Sequence, residues 1–269
     1  MTCLANAIEL RNITKRFGQV VANKSISLEL HKGEILSLLG ENGSGKTTLM
    51  NMLSGIYYPD EGQIFVDGKE VEIRSPKDAF DLHIGMIHQH FKLVDVFTAA
   101  ENIILGLPGD KGKMDKNAVA KAVREIADRY GFDIDPNQKI YEMSVSQKQT
   151  VEIVKVLYRG ADILILDEPT AVLTPQETEK LFTVMRNMKK DGKAIIIITH
   201  KLHEVLAVSD RVAVLRKGEY IGDTDTATAS QQSLTDMMVG RAVSLNIDRP
   251  LNENQTERLK VEHLTVKNK

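Results

Sequence analysis

The sequence predicts an α/β protein with a parallel sheet at its core, an N-terminal antiparallel β subdomain and an inserted α-helical subdomain. The parallel sheet is predicted by apolar runs without polar alternation, which are typical of strands buried on both faces. These runs lie at residues 84–87, 163–166 and 194–198. Segments with helical spacing at 116–130 and 147–158 separate the first two runs and predict a helical insert over 91–157.

The N-terminal part has a different pattern. Residues 7–73 alternate apolar and polar positions in short runs that are broken by glycine turns, as in the segment 62–69, GQIFVDGK. Alternation with a period of two residues indicates antiparallel strands with one buried face. We therefore expect an antiparallel β subdomain in this region.

A glycine-rich segment, GENGSGKT at 40–47, follows the apolar run at 35–39. A buried strand, a glycine loop and a Lys-Thr pair that opens a helix form the pattern of a phosphate-binding loop. The glycines turn backbone N–H groups inward, and the helix adds the positive end of its dipole. The pattern predicts that the chain binds a nucleoside triphosphate through Gly40, Asn42, Gly43, Ser44, Gly45, Lys46, Thr47 and Thr48.

Composition restricts the other partners. The chain has 35 Lys and Arg residues against 37 Asp and Glu residues, so it lacks the basic bias typical of nucleic-acid binding. Its single cysteine, Cys3, excludes an internal disulfide and fits a reducing compartment. The apolar runs are too short to span a bilayer, and the first ten residues lack the pattern of a secretion signal. We expect a cytosolic protein.

Two carboxylates end the apolar run at 163–166, and polar residues follow two of the other runs. Parallel α/β sheets bind their ligands at this end of the strands. Asp167 suits a Mg²⁺ site, and Glu168 suits the general base that activates water for attack on a γ-phosphate. Taken alone, each polar residue is also consistent with an ordinary surface position. The predicted catalytic set is Glu168, His200 and Gln89, and the predicted Mg²⁺ set is Thr47, Gln89 and Asp167.

These motifs resemble, in full order over about residues 7–240, those of the ATP-binding-cassette family of P-loop NTPases. The resemblance also rests on the run MSVSQKQ at 143–149 and on Pro169-Thr170. It implies a RecA-like parallel core and the binding and hydrolysis of ATP with Mg²⁺. It further implies that Phe17 stacks on adenine, for which an ordinary core phenylalanine is the alternative. Ser144 and Gln147 would cap the γ-phosphate held by a second cassette.

Three further segments look like the first cassette of tandem-cassette ATPases that serve bacterial importers of simple sugars and nucleosides. They are HQHF at 88–91, AEN at 100–102 and AVLTPQE at 171–177. This resemblance implies three partners: a second cassette in the same full-length chain, transmembrane permease subunits, and an extracellular solute-binding protein reached through the permease. It implies no nucleic acid, and a peripheral position on the cytoplasmic face of the bacterial membrane.

The same resemblance divides the chain into domains. Residues 1–245 are expected to form the first nucleotide-binding domain. The polar segment 246–258, which contains a proline and three asparagines, is expected to be a linker. Residues 259–265 repeat the apolar pattern of 8–14, although any amphipathic strand would give this pattern. Residues 259–269 are expected to open a truncated second domain.

The sequence departs from the family pattern in the signature loop. Val145 and Ser146 stand where the family usually has two glycines, and side chains there should weaken the cap on the partner's γ-phosphate. Thr174 also replaces a common aspartate. Two other functions therefore compete with import: a binding-only regulatory cassette, and a tandem cassette that acts on ribosomes or nucleic acid. Retained Lys46 and Glu168 oppose the first, and the absence of a basic stripe opposes the second.

The altered signature loop predicts how the isolated chain behaves. We expect it to be mostly monomeric with weak ATPase activity, because complete sites in this family form only across two cassettes and its own cap is poor. Light scattering with and without ATP checks the association state. A tight homodimer that forms on ATP addition and turns over rapidly would contradict this expectation.

Overall fold

The computed structural model describes residues 5–107, 116–241 and 260–265, which form two sheets and eight α-helices. The smaller sheet is antiparallel and has the order β2-β1-β4-β5. The antiparallel pairing of its strands confirms the prediction for the N-terminal part. Its strands are β1 (Asn6–Phe17), β2 (Val20–His31), β4 (Glu61–Val66) and β5 (Lys69–Val71).

The larger sheet has the order β10-β9-β3-β8-β7-β6, with β10 antiparallel at one edge and the other strands parallel. Every residue of the ILSLL and AIIII strands is buried, as expected for strands covered on both faces. The hairpin of β9 and β10 was not predicted from sequence. The strands are β3 (Ile35–Leu39), β6 (Ile84–Ile87), β7 (Ile163–Asp167), β8 (Ala194–Ile198), β9 (Arg211–Arg216) and β10 (Glu219–Asp225).

Helices cover the parallel sheet and build the insert. Five of them belong to the core: α1 (Lys46–Leu53), α2 (Pro76–Asp81), α6 (Pro175–Lys190), α7 (Leu202–Val208) and α8 (Gln231–Val239). The predicted insert contains α3 (Ala99–Ile104), α4 (Lys116–Tyr130), a 3₁₀ turn (Ile140–Glu142) and α5 (Val145–Tyr158).

The insert has an apolar core of its own, which includes Ile103, Val123, Ile140 and Val151. Its last helix, α5, begins two residues before the predicted start at 147, because Ser144 caps the helix at that point. Burial of this cluster keeps α3, α4 and α5 together as one unit beside the parallel sheet.

The C-terminal prediction is only partly within the described residues. Helix α8 ends at Val239, and Gly240 follows in the left-handed conformation. The predicted linker at 246–258 and Leu259 lie outside the described residues. Residues 260–265 are exposed and carry no strand, so the second domain stays a prediction. Among the described residues, no helix has the length and apolar character that crossing a bilayer requires.

A buried ion pair joins the two sheets. Arg211 Nε donates to Glu34 Oε1 over 2.8 Å, and Arg211 Nη2 donates to the Glu29 carbonyl of β2 over 2.6 Å. Glu34 Oε2 in turn accepts from the backbone N–H of His31 over 2.7 Å. The side chains of Glu34 and Arg211 are 6% and 14% exposed, so water compensates little for a broken contact.

Replacing Arg211 tests the contribution of this ion pair to stability. Arg211→Met should lower the free energy of unfolding by about 3 kcal/mol, because it leaves the Glu34 carboxylate buried without its cation. Urea unfolding of the parent and variant measures the difference. Arg74→Met is the matched control, since Arg74 pairs with Glu72 at the exposed surface, and it should unfold close to the parent. Equal stability of the two variants would contradict a structural role for the pair.

Candidate functional site

The register of the parallel sheet brings the predicted motifs to one edge. Ile198 of β8 pairs with Leu38 of β3 on one side and with Asp167 of β7 on the other. Ile87 of β6 pairs with Leu166. Because all four strands run in the same direction, the segments that follow them emerge at the same edge. These segments contain the glycine loop, Gln89, Glu168 and His200.

At Gly40 and Gly45 the glycine loop approaches neighbouring backbone so closely that a side chain does not fit. A Cβ atom on Gly40 would lie 2.2 Å from the Leu215 carbonyl oxygen, and one on Gly45 would lie 2.4 Å from the Ala22 carbonyl oxygen. Gly45 also has a φ of 96° and is the N-cap of α1. The Asn23 side chain donates to the Gly45 carbonyl over 3.1 Å and fixes the loop against β2.

The lysine of the loop is buried beside carboxylates. Lys46 is 8% exposed, and its ammonium donates to the carbonyls of Gly40 and Glu41 over 2.7 and 2.9 Å. Burial lowers the pKa of Lys46, while Glu168 and Asp167 raise it. Burial and neighbouring Glu168 raise the pKa of Asp167, which Lys46 opposes. A buried ammonium facing desolvated carboxylates fits a ligand that brings both a polyanion and a cation, as ATP with Mg²⁺ does.

The remaining loop residues divide by exposure. Ser44 is buried, and its hydroxyl accepts from Lys46 Nζ over 3.4 Å. Thr48 is half-buried. Thr47, predicted to hold Mg²⁺, is exposed in the first turn of α1, as are Asn42 and Gly43 just before it. These exposed positions therefore border solvent.

The three predicted catalytic side chains meet. His200 Nδ1 lies 3.0 Å from Glu168 Oε1, and Gln89 Nε2 donates to Glu168 Oε2 over 3.3 Å. Glu168 has a φ of 47°, a left-handed conformation that is uncommon for residues other than glycine. Its side chain is 23% exposed and that of His200 is 57% exposed, so the group can still reach water. Both carboxylate oxygens are thereby oriented by a neighbour.

The signature loop stands at the start of α5, on the insert. The Ser144 hydroxyl accepts from the Gln147 N–H over 3.3 Å, and the Gln147 side chain accepts from the Ser144 N–H over 2.9 Å. This capping box occupies both side chains within their own helix. The hydroxyls of Ser146 and Ser144 are 3.1 Å apart, and Ser146 and Thr174 lower the pKa of Glu177 on α6. Val145, in the first turn of α5, is 43% exposed.

Phe17 ends β1 with 43% of its surface exposed, which is unlike a core phenylalanine. The ring of Tyr57 meets it edge-on with 5.1 Å between ring centroids, and the Lys15 ammonium lies 5.6 Å from its centroid. Sequence reasoning did not find Tyr57 as a neighbour of this ring, because only the fold brings the segment after α1 to the end of β1. Lys15 is two residues before Phe17 on the same strand, so the period of two in a strand could have found it. The exposed face of Phe17 is suited to stacking on a base.

A model of the ABC transporter family matches residues 23–171. The chain belongs to this family. Members of the family bind and hydrolyse ATP with Mg²⁺, so the predicted family and its ligands are confirmed. The roles of individual site residues stay predictions.

Three curated import ATP-binding proteins are similar to the chain. It is 50% identical to the nucleoside import ATP-binding protein NupA of Lactococcus lactis, over 97% of the chain and 52% of the relative. It is 51% identical to the guanosine import ATP-binding protein NupO of Bacillus subtilis, over 97% of the chain and 51% of the relative. It is 44% identical to a ribose import ATP-binding protein RbsA of Rubrobacter xylanophilus, over 90% of the chain and 48% of the relative. The chain spans about half the length of these relatives.

Solved ABC cassettes have the same fold. A cassette of an ABC transporter in its ADP conformation superposes with a TM-score of 0.77 at 25% identity, covering 88% of this chain and 99% of that one. A dimeric bacterial ABC transporter cassette gives a TM-score of 0.70 at 27% identity, covering 81% and 98%. The predicted α/β fold class is confirmed.

The close approach at Gly45 predicts unequal costs for two glycine substitutions. Gly45→Ala should lower the free energy of unfolding by about 2 kcal/mol or more, because it adds a backbone collision to a left-handed conformation. Gly43→Ala is the matched control: its φ is 80°, but its Cβ would meet nothing within 4 Å, so only the conformational penalty applies. Denaturant unfolding compares the two. A larger loss for Gly43→Ala would refute the packing argument.

Proposed function

We propose that this chain is an ATP-binding and ATP-hydrolysing cassette that powers an ABC importer, with nucleosides or simple sugars as the transported solutes. The observation that carries the proposal is the meeting of Glu168, His200 and Gln89 at the sheet edge that also carries Lys46. A site that only bound nucleotide would have no need of a carboxylate held at both oxygens.

In this proposal the glycine loop holds the triphosphate. The Lys46 ammonium leaves its carbonyl partners for the β- and γ-phosphates, and loop N–H groups from 40–48 supply the remaining donors. Thr47 and Asp167 are the residues that would hold Mg²⁺, with Gln89 beside them. Bound Mg²⁺ supplies charge neutralisation on the phosphate oxygens. Phe17 carries the adenine on its exposed face.

Glu168 is the general base. Its carboxylate takes a proton from the attacking water as the water oxygen forms a bond to the γ-phosphorus, and the bond from that phosphorus to the departing ADP oxygen breaks. His200 and Gln89 orient the carboxylate from opposite sides, through contacts of 3.0 and 3.3 Å. Holding the base in place before the reaction reduces the entropy cost of reaching the transition state.

A groove between α2, β6 and α5 supports docking of a permease. Ile56, Phe80, Met86, His88 and Arg159 are among its lining residues, and its volume is about 240 Å³. The Arg159 guanidinium lies 5.8 Å from the centre of the Phe80 ring, so an apolar floor is bordered by positive charge. Gln89 lies two residues after β6, next to His88 of this groove, so a permease element seated there would act next to the catalytic set.

The remaining partners follow from the relatives. The two import proteins NupA and NupO are about twice as long as the matched region, which supports a second cassette in the full-length protein. The permease would connect this ATPase, on the cytoplasmic face of the membrane, with an extracellular solute-binding protein. Identity of 50% and 51% to nucleoside and guanosine import proteins, against 44% to a ribose import protein, favours a nucleoside as the solute.

A binding-only regulatory cassette is the second candidate. Its support is Val145 and Ser146 in the signature loop, where side chains impede close approach by another cassette. This defect concerns the site that the loop would cap on the partner. It leaves Lys46 and Glu168 of this chain's own site unaffected.

Two substitutions in the two-cassette protein test the proposal, the first its binding site and the second the choice between the two candidates. Lys46→Ala should remove most ATP affinity, because the phosphates lose their buried cation. Glu168→Gln should keep ATP binding and slow turnover by about 100-fold, because the amide cannot accept the proton. Nucleotide titration and phosphate release measure the two effects. Lys121→Ala, at an exposed position on α4, is the control and should match the parent. Turnover unchanged in Glu168→Gln would favour the regulatory candidate.

A further inference from the structure

A buried amide on α5 contacts the backbone next to the catalytic carboxylate. Gln149 is 4% exposed, and its Nε2 donates to the Pro169 carbonyl over 2.6 Å. Pro169 follows Glu168 directly in the chain. The contact joins residues that are 20 positions apart, from the helical insert to the segment that follows β7. A buried amide donor of this kind is costly to leave without an acceptor.

A second buried cluster holds the next residue. The Thr170 hydroxyl donates to Glu204 Oε2 over 2.5 Å, and the Lys201 ammonium donates to the Thr170 carbonyl over 2.9 Å. Lys201 also pairs with Glu204 Oε1 at 3.0 Å. Thr170 and Glu204 are 2% and 5% exposed. Lys201 is the neighbour of His200, so this cluster ties the chain after Glu168 to the chain after its histidine partner.

These contacts surround a strained residue. The left-handed conformation of Glu168, with a φ of 47°, is unfavourable for a residue with a side chain and persists only where the surroundings enforce it. The Glu168 N–H is held by the Ile198 carbonyl over 2.9 Å, and its own carbonyl accepts from the Ala171 N–H over 3.2 Å. Gln149 and Lys201 fix the two carbonyls that follow. Together they fix the backbone from which the Glu168 side chain projects, and His200 and Gln89 contact its carboxylate oxygens.

We propose that Gln149 is a positioning residue for hydrolysis, which acts through the Pro169 backbone to aim the Glu168 carboxylate, with the cluster of Thr170, Lys201 and Glu204 as a second support. The inference rests on the proposed role of Glu168 as the base. It adds a second role for the insert. Helix α5 carries the signature loop at its start, where Ser144 is the N-cap, and through Gln149 it also helps to position the general base.

The competing role for Gln149 is purely structural, in which the amide only fastens α5 to the core. The two roles differ in their dependence on Glu168. A fastening role affects the protein whether or not a base is present, whereas a positioning role has nothing to act on once the base is gone. A double-mutant cycle therefore separates them.

The test uses the complete two-cassette protein and measures steady-state and single-turnover ATP hydrolysis. Gln149→Met keeps the side-chain volume and removes the donor. We expect kcat to fall about 10-fold, as for a displaced catalytic group, with KM within about 2-fold. In the Glu168→Gln background the same change should have no further effect on single-turnover hydrolysis. Thr150→Val, which removes a hydrogen bond of α5 to its own backbone, is the matched control and should keep the parent kcat.

Three results overturn the inference. An unchanged kcat in Gln149→Met, or an equal fall in both backgrounds, shows that the amide does not act through Glu168. Wild-type turnover in Glu168→Gln alone refutes the proposed base, and the positioning role with it. An unchanged kcat in Gln149→Met refutes only the positioning role and leaves the proposed base in place. If Gln149→Met does not fold, Glu204→Gln tests the second support by the same cycle, with the same pattern expected.

Discussion

The pairing of β8 between β3 and β7 is the constraint on which the site depends. Ile198 sits at the end of this pairing, opposite Leu38 and Asp167, and its carbonyl accepts the N–H of Glu168 over 2.9 Å. The register therefore fixes the distance between the glycine loop and the carboxylates before any side chain contributes. All residues of β3 and β8 are buried, so a shift of the pairing register by one residue would turn every side chain to the opposite face of the sheet.

The same sheet also stabilises the fold enough to tolerate partly buried charges at the site. Lys46, Asp167 and Glu168 lie partly buried at one edge. Burial lowers the pKa of Lys46 and raises the pKa of Asp167, so it favours the neutral form of each group. Such shifts indicate a site whose charges are incompletely satisfied by the protein alone. The apolar cores on both faces of the sheet keep the fold stable in spite of this.

Local sequence patterns predicted the parts of the site that depend on neighbours in the chain. The glycine loop, the carboxylates after β7 and the bounds of α4 at 116–130 follow from spacing and periodicity over a few residues. The contacts of Gln149 with Pro169 and of Thr170 with Glu204 do not, because they join positions 20 and 34 residues apart that only the tertiary fold brings together. Periodicity carries no information on such pairs.

The same limit explains the C-terminal segment. The amphipathic pattern at 259–265 predicts a strand, yet residues 260–265 are exposed and unpaired within the described chain. A strand becomes stable only with hydrogen-bonded neighbours on at least one side. The signature loop is a different case: Val145 and Ser146 fit the first turn of α5 without strain, so their consequence concerns approach by another cassette rather than this fold.

The central claim is that ATP binds and reacts at this one sheet edge. Hydrogen exchange of the complete Glu168→Gln protein, measured with and without ATP and Mg²⁺, tests it most directly. Bound nucleotide should slow exchange of the loop amides at 40–48, which are expected to donate to the phosphates, and of the amides at 168, 170 and 171, in the segment that the two buried supports hold. Saturating ATP that leaves the exchange of residues 40–48 unchanged, while protecting another surface, would contradict the claim.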